Sequence, residues 1–172
     1  MNQSYIYLLF TNTGSLLTKT IGLYTRAEYN HVSIAIDSEM IEVYSFGRRQ
    51  INNPFWGGFV REKTSEAFFQ NADCAIYKYA VTPAQSRQMR NLISQFNRRQ
   101  DSYRYNLVGL LGVLLNIPIQ RTDVYFCSQF VSYLLIETSI ATFDKPSELI
   151  TPQDIQSLPG LIPMYQGKLA YA

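Results

Sequence analysis

The run His31-Val32-Ser33-Ile34-Ala35-Ile36 alternates in side-chain character, and a second strand-like run, Met40 to Ser45, follows after only Asp37-Ser38 and the charged Glu39. A connection this short joins antiparallel neighbours, so the segment reads as a tight hairpin. Alternation puts His31, Ser33 and Ala35 on one face of the strand and Val32, Ile34 and Ile36 on the other. With a two-residue loop of Asp37 and Ser38, Ser33 falls opposite Glu42 and Ala35 opposite Met40, which sets Glu42 diagonal to His31 on the same face. A carboxylate there would fix the tautomer of the imidazole and favour its charged form.

Other elements follow from local signals. Tyr5 to Phe10 reads as a strand, and the turn cluster Thr11-Asn12-Thr13-Gly14-Ser15 leads into a short helix through Leu16, Leu17, Thr20 and Leu23. Residues 46–71 read as a long irregular flap in which Gly47, Pro54, Gly57 and Gly58 punctuate the aromatics Phe55, Trp56 and Phe59. Cys74 to Val81 reads as a further strand. Thr82-Pro83 then starts a helix whose Met89, Leu92, Ile93 and Phe96 recur at three- and four-residue steps.

The apolar stretch Leu107 to Ile117 reads as a buried helix stopped by Pro118, with contact at a membrane surface as the alternative. It is shorter than the ~20 residues a spanning helix needs. A helix starts near Cys127 and runs to about Glu137, Thr151-Pro152-Gln153-Asp154 opens a short one, and an extended tail covers Leu161 to Tyr171.

At 172 residues without an internal repeat or linker, the chain reads as one domain over 1–172. It is long enough to bury roughly two thirds of the surface its unfolded form exposes. Fifteen Lys and Arg against 13 Asp and Glu leave a net charge of +2, too little for the clustered phosphate contacts of nucleic-acid binding. The pairs Arg48-Arg49 and Arg98-Arg99 are short and read as solvated surface or a substrate-side contact rather than a binding stripe. Two distant cysteines make no disulfide framework, and Met1-Asn2-Gln3-Ser4 lacks the basic start of a signal peptide, so a cytoplasmic location is expected. No phosphate-cradling glycine loop and no closely spaced metal-ligand pair is evident, so neither a cofactor nor a metal is expected.

His31 is the only histidine, and Cys127 is one of only two cysteines. A thiol at a helix start feels the positive end of the helix dipole, which lowers its pKa, and an imidazole partner would hold it as thiolate. Together His31, Cys127 and Glu42 suggest a thiol hydrolase. Cys74, within a strand and away from any helix terminus, reads as structural.

Three stretches, Tyr29-Asn30-His31-Val32-Ser33-Ile34-Ala35-Ile36, Ile41-Glu42-Val43-Tyr44-Ser45-Phe46-Gly47 and Phe126-Cys127-Ser128-Gln129-Phe130-Val131, carry a likeness to a known family. They resemble the circularly permuted branch of the NlpC-type, papain-like cysteine hydrolases, close to the YiiX/YebB-like proteins, in which the histidine strand precedes the cysteine helix. Thr151-Pro152-Gln153-Asp154 resembles the motif that closes such domains. The resemblance implies an α+β papain-like core, an antiparallel sheet packed with helices. It implies Cys127 as nucleophile, His31 as base and Glu42 as the residue that orients it. Tyr29, Ser128 and Trp56 are the candidates for oxyanion or substrate contacts, Tyr29 acting with the Cys127 amide.

The implied substrate is a small peptide, a peptidoglycan-type peptide or an amino-acid amide. On the same fold, a lipid acyltransferase or thiol esterase would differ only in its reaction, and a non-catalytic binding module would keep the cleft without turnover.

Overall fold

A computed structural model of the chain describes residues 3–12, 28–49 and 57–171. The architecture is mixed α/β, with six antiparallel strands in the order β4-β3-β2-β1-β5-β8. β1 (Ser4–Asn12) lies between β2 (His31–Ala35) and β5 (Asp73–Val81), and β5 also pairs with β8 (Ile162–Lys168). On the other side β2 pairs with β3 (Val43–Arg48), and β3 with β4 (Gly57–Glu62). Two short strands, β6 (Arg104–Tyr105) and β7 (Val124–Tyr125), pair in parallel apart from the main sheet.

The helices are α1 (Ala67–Gln70), α2 (Pro83–Arg98), α3 (Leu107–Leu115), α4 (Cys127–Glu137) and α5 (Pro152–Gln156). Their starts are chemically marked. Thr82 caps α2 through a reciprocal pair, Gln85 N–H donating to Thr82 Oγ1 at 3.2 Å and Thr82 N–H to Gln85 Oε1 at 2.9 Å. Thr151 and Asp154 repeat the device at α5. α4 differs: Phe126 at its N-cap offers no side-chain hydrogen bond, so its first-turn N–H groups are not taken by a cap.

The two faces of the sheet carry separate cores. α2 and α4 pack on the face that presents Leu8, Phe10, Val32, Ile34, Phe46 and Phe59. Phe46 is the hub there, its ring centroid 5.2 Å from Phe130, 5.1 Å from Tyr125 and 6.0 Å from Phe59. Burial of one such ring contributes about 2–3 kcal/mol, so the cluster anchors α4 against β2 and β3. The opposite face presents Leu9, Ala35, Val43, Cys74 and Ile76, covered in part by Leu169.

Three expectations change, and one lies beyond the described residues. The segment read as a flap from 46 to 71 contains β4, paired residue by residue with β3, and Phe59 is a core residue. Phe55, Trp56 and the helix read through Leu16 to Leu23 lie outside the described residues. α3 forms where expected but is not buried: Val108, Leu111 and Leu115 are 45%, 58% and 69% exposed. The hairpin of β2 and β3 has a longer connection, because the Asp37 carboxylate accepts from the N–H groups of Glu39, Ile41 and Glu42, and Met40 adopts a left-handed conformation with φ 55. Among the described residues, no helix is long and apolar enough to cross a membrane.

Candidate active site

Antiparallel pairing of β2, β3 and β4 brings one strip of polar side chains together. Alternation gives His31 and Ser33 of β2, Ser45 of β3 and Glu62 of β4 the same face, with Ala35 opposite Val43 and Val43 opposite Glu62. The Glu62 carboxylate is buried and held twice. Its Oε1 is 2.6 Å from His31 Nε2, and its Oε2 accepts from Ser33 Oγ at 2.6 Å. Ser33 Oγ is also 3.2 Å from His31 Nε2, and Ser45 Oγ, which donates to the Val32 carbonyl at 3.2 Å, lies 3.4 Å from that nitrogen. The ring is therefore fixed along its Nε2 edge.

Cys127 opens α4 and reaches His31 from the helical side. Charge and a side-chain hydrogen bond couple the two groups, while Glu62 holds the ring at Nε2. Burial disfavours the imidazolium, but the Glu62 carboxylate and the Cys127 thiolate outweigh it, and His31 is pushed up to about 10. Burial also works against the thiolate. The facing imidazolium and the backbone N–H groups of Val32 and Ser128 overcome it and hold the Cys127 thiol below its usual range. Both shifts favour a thiolate–imidazolium pair, with the Glu62 carboxylate behind the ring.

Glu42 does not take part. Its carboxylate lies 3.6 Å from Arg90 and accepts from Tyr44 Oη at 3.4 Å. The expected register put Met40 opposite Ala35, whereas Val43 occupies that position, a displacement of three residues. An odd displacement turns a side chain to the other face of the sheet, and Glu42 faces α2 accordingly. α4 packs on the Val32 and Ile34 face, not on the face of Ser33 and Ala35.

Tyr29 is likewise committed elsewhere. Its hydroxyl donates to Glu28 Oε1 at 2.9 Å and accepts from Gln166 Nε2 at 3.1 Å, and its ring packs against Phe10. Burial and Glu28 push its phenol up to about 12. Ser128 contributes its N–H to the sulfur, while its hydroxyl donates to the Ile150 carbonyl at 2.7 Å and ties α4 to the segment before α5.

Two residues went unseen in the sequence. Glu62 ends a run, Phe59-Val60-Arg61-Glu62, in which each face holds one apolar and one charged side chain, so no period of two announces a strand. Tyr105 pairs with Tyr125, two residues before Cys127. Burial and the nearby thiolate push the Tyr105 phenol well above its ordinary value, against the pull of Arg48, so it remains an O–H donor beside the sulfur.

Cys74 is fully buried on β5, two strands from His31 with Thr11 between them, and burial pushes its thiol up to about 11 with help from Asp73. Among the described residues, no group of three or more His, Cys, Asp or Glu side chains is arranged to hold a metal ion. No family model matches the chain, and no curated protein matches it.

Proposed function

We propose that this protein is a cysteine hydrolase with a permuted papain-like arrangement, cleaving an amide bond in a small peptide, a peptidoglycan-type peptide or an amino-acid amide. One observation carries the proposal. Cys127, at a helix N-terminus without a side-chain cap, is electrostatically coupled to the His31 imidazole, whose Nε2 is 2.6 Å from a buried carboxylate. A structural cysteine needs no such partner.

The Cys127 thiolate attacks the carbonyl carbon, and the carbonyl oxygen gains the negative charge. N–H groups of the first turn of α4, free of a side-chain cap, are preorganised donors for that oxyanion, and the Tyr105 phenol is within electrostatic reach of the same sulfur. His31 gives its proton to the leaving amine as the tetrahedral intermediate collapses to a thioester on Cys127. Neutral His31 then takes a proton from water, whose oxygen attacks the thioester. Collapse releases the carboxylate product and restores the thiolate and imidazolium. Glu62 keeps the ring oriented and stabilises its charged form in each half-reaction.

Intact-mass spectrometry after exposure to a panel of blocked amino-acid and peptide p-nitroanilides tests this. We expect a transient acyl adduct and released p-nitroaniline, both lost in Cys127→Ala. Acylation by lipid esters with amides inert would move the reaction to acyl transfer. No adduct from either class, together with alkylation of Cys127 at the rate of an ordinary thiol, would overturn catalysis and leave a binding module.

A further inference from the structure

We propose that the uncharged lobe formed by α3 and the loop 116–120 that returns from it docks on the surface of an anionic lipid membrane. Residues 105–120 contain no Asp, Glu, Lys or Arg. α3 is apolar on all sides, and a helix of that kind finds its proper surroundings in a core or in lipid. Here one side only is covered. Asn106 caps the helix by accepting from Gly109 N–H at 2.8 Å, and a Cβ at Gly112 would come 2.5 Å from the Ile117 carbonyl oxygen, so cap and returning loop pack closely on the inner side. The outer stripe, Val108, Leu111 and Leu115, is held toward solvent at i, i+3 and i+7, and Ile117 beyond it is 53% exposed.

Charge selects the occupant. The segments next to the lobe carry five arginines, Arg49, Arg98, Arg99, Arg104 and Arg121, against three acids, Asp101, Asp123 and Glu148 of the turn that packs on α3, a surplus of two. Both aspartates are already engaged, Asp123 with Arg99 at 3.3 Å and Asp101 with Arg49 at 3.3 Å. Arg121 is exposed and has no acidic partner among the described residues. A basic surplus beside an exposed apolar stripe matches acidic headgroups above acyl chains. A second copy seated on the same face would bring these arginines together, and like charges would oppose it. The lobe also adjoins the nucleophile helix, since Asn106 Nδ2 donates to Gln129 Oε1 at 3.2 Å. Docking would therefore bring the N-terminus of α4 close to the lipid surface.

Vesicle co-sedimentation of the full chain tests the proposal, using phosphatidylcholine alone and three parts phosphatidylcholine to one of phosphatidylglycerol. We expect binding to the mixed vesicles, weakened at least about tenfold by the double variant Leu111→Ser/Leu115→Ser. Arg121→Gln should weaken it about fivefold on the mixed vesicles and not on the neutral ones. All three side chains are exposed, and circular dichroism reports whether the variants keep their fold. Cys127→Ala should bind as the unaltered protein does, so the outcome is independent of catalysis. No binding, binding indifferent to lipid charge, or a light-scattering dimer that the double variant converts to monomer would overturn the membrane assignment.

Discussion

The Glu62 carboxylate lies 2.6 Å from Nε2 of His31, a residue 31 positions earlier in the chain, and neither group is more than slightly exposed. Such a pair is costly to bury unless each charge is answered, and here the second carboxylate oxygen is answered by Ser33. Glu62→Gln keeps the shape and removes the charge that supports the imidazolium. Turnover should fall at least about tenfold with the fold retained. Glu42→Gln disturbs only a half-exposed contact with Arg90 and should leave turnover within about a factor of two. Steady-state kinetics on the two variants, side by side, checks the exchange of roles.

The two cysteines should separate cleanly. Cys127→Ala should abolish turnover while leaving thermal stability close to that of the unaltered protein. Cys74→Ala removes one buried sulfur from the core and should cost about 1–2 kcal/mol of stability with activity per folded molecule unchanged. Iodoacetamide followed by peptide mapping should find Cys127 modified first in the native state, because burial and Asp73 keep the Cys74 thiol protonated.

The pH dependence follows from opposite shifts. Cys127 is lowered, so its thiolate is populated at pH values where a free thiol is still protonated, and the alkylation rate should level off below the usual thiol range. His31 is raised, to about 10, so its contribution to stability is complete below its ordinary value near 6.5 and is lost as pH rises through about 10. Turnover should accordingly rise with formation of the ion pair and fall again toward pH 10, where the proton for the leaving amine disappears. Loss of Glu62 in the Gln variant should move the alkaline limb to lower pH.

Ser128 and Tyr29 carry structural bonds. Ser128→Ala deprives the buried Ile150 carbonyl of its donor and should cost about 1–3 kcal/mol in denaturant unfolding, while the N–H that faces the sulfur remains. Tyr29→Phe should leave turnover unchanged, since its hydroxyl serves Glu28 and Gln166. A loss of activity in Tyr29→Phe comparable with that of Glu62→Gln would return Tyr29 to the site.

Local chemistry was legible where it is short-range. The Thr82 and Thr151 caps, the bounds of α4 at Cys127 and Glu137, and the shared face of His31 and Ser33 could all be read from neighbours within a few residues. The partner of His31 could not, because it depends on register across two loops. Asp37 gathers three backbone N–H groups and lengthens the hairpin, which exchanges the face of Glu42, and the vacancy on the His31 face is filled by a strand whose pattern mixes Val60 with Glu62. α3 misled in the opposite direction. Its composition is that of a core helix, yet only its glycine side is covered.

The ion pair itself is open to direct observation, because the chain has a single histidine. A long-range proton–nitrogen NMR titration of the imidazole should find His31 charged throughout the neutral range in the unaltered protein, with its midpoint raised far above 6.5, and should find that midpoint lowered in both Cys127→Ala and Glu62→Gln. An imidazole that loses its proton near 6.5 and titrates alike in all three proteins would contradict the thiolate–imidazolium pair, and with it the proposed chemistry.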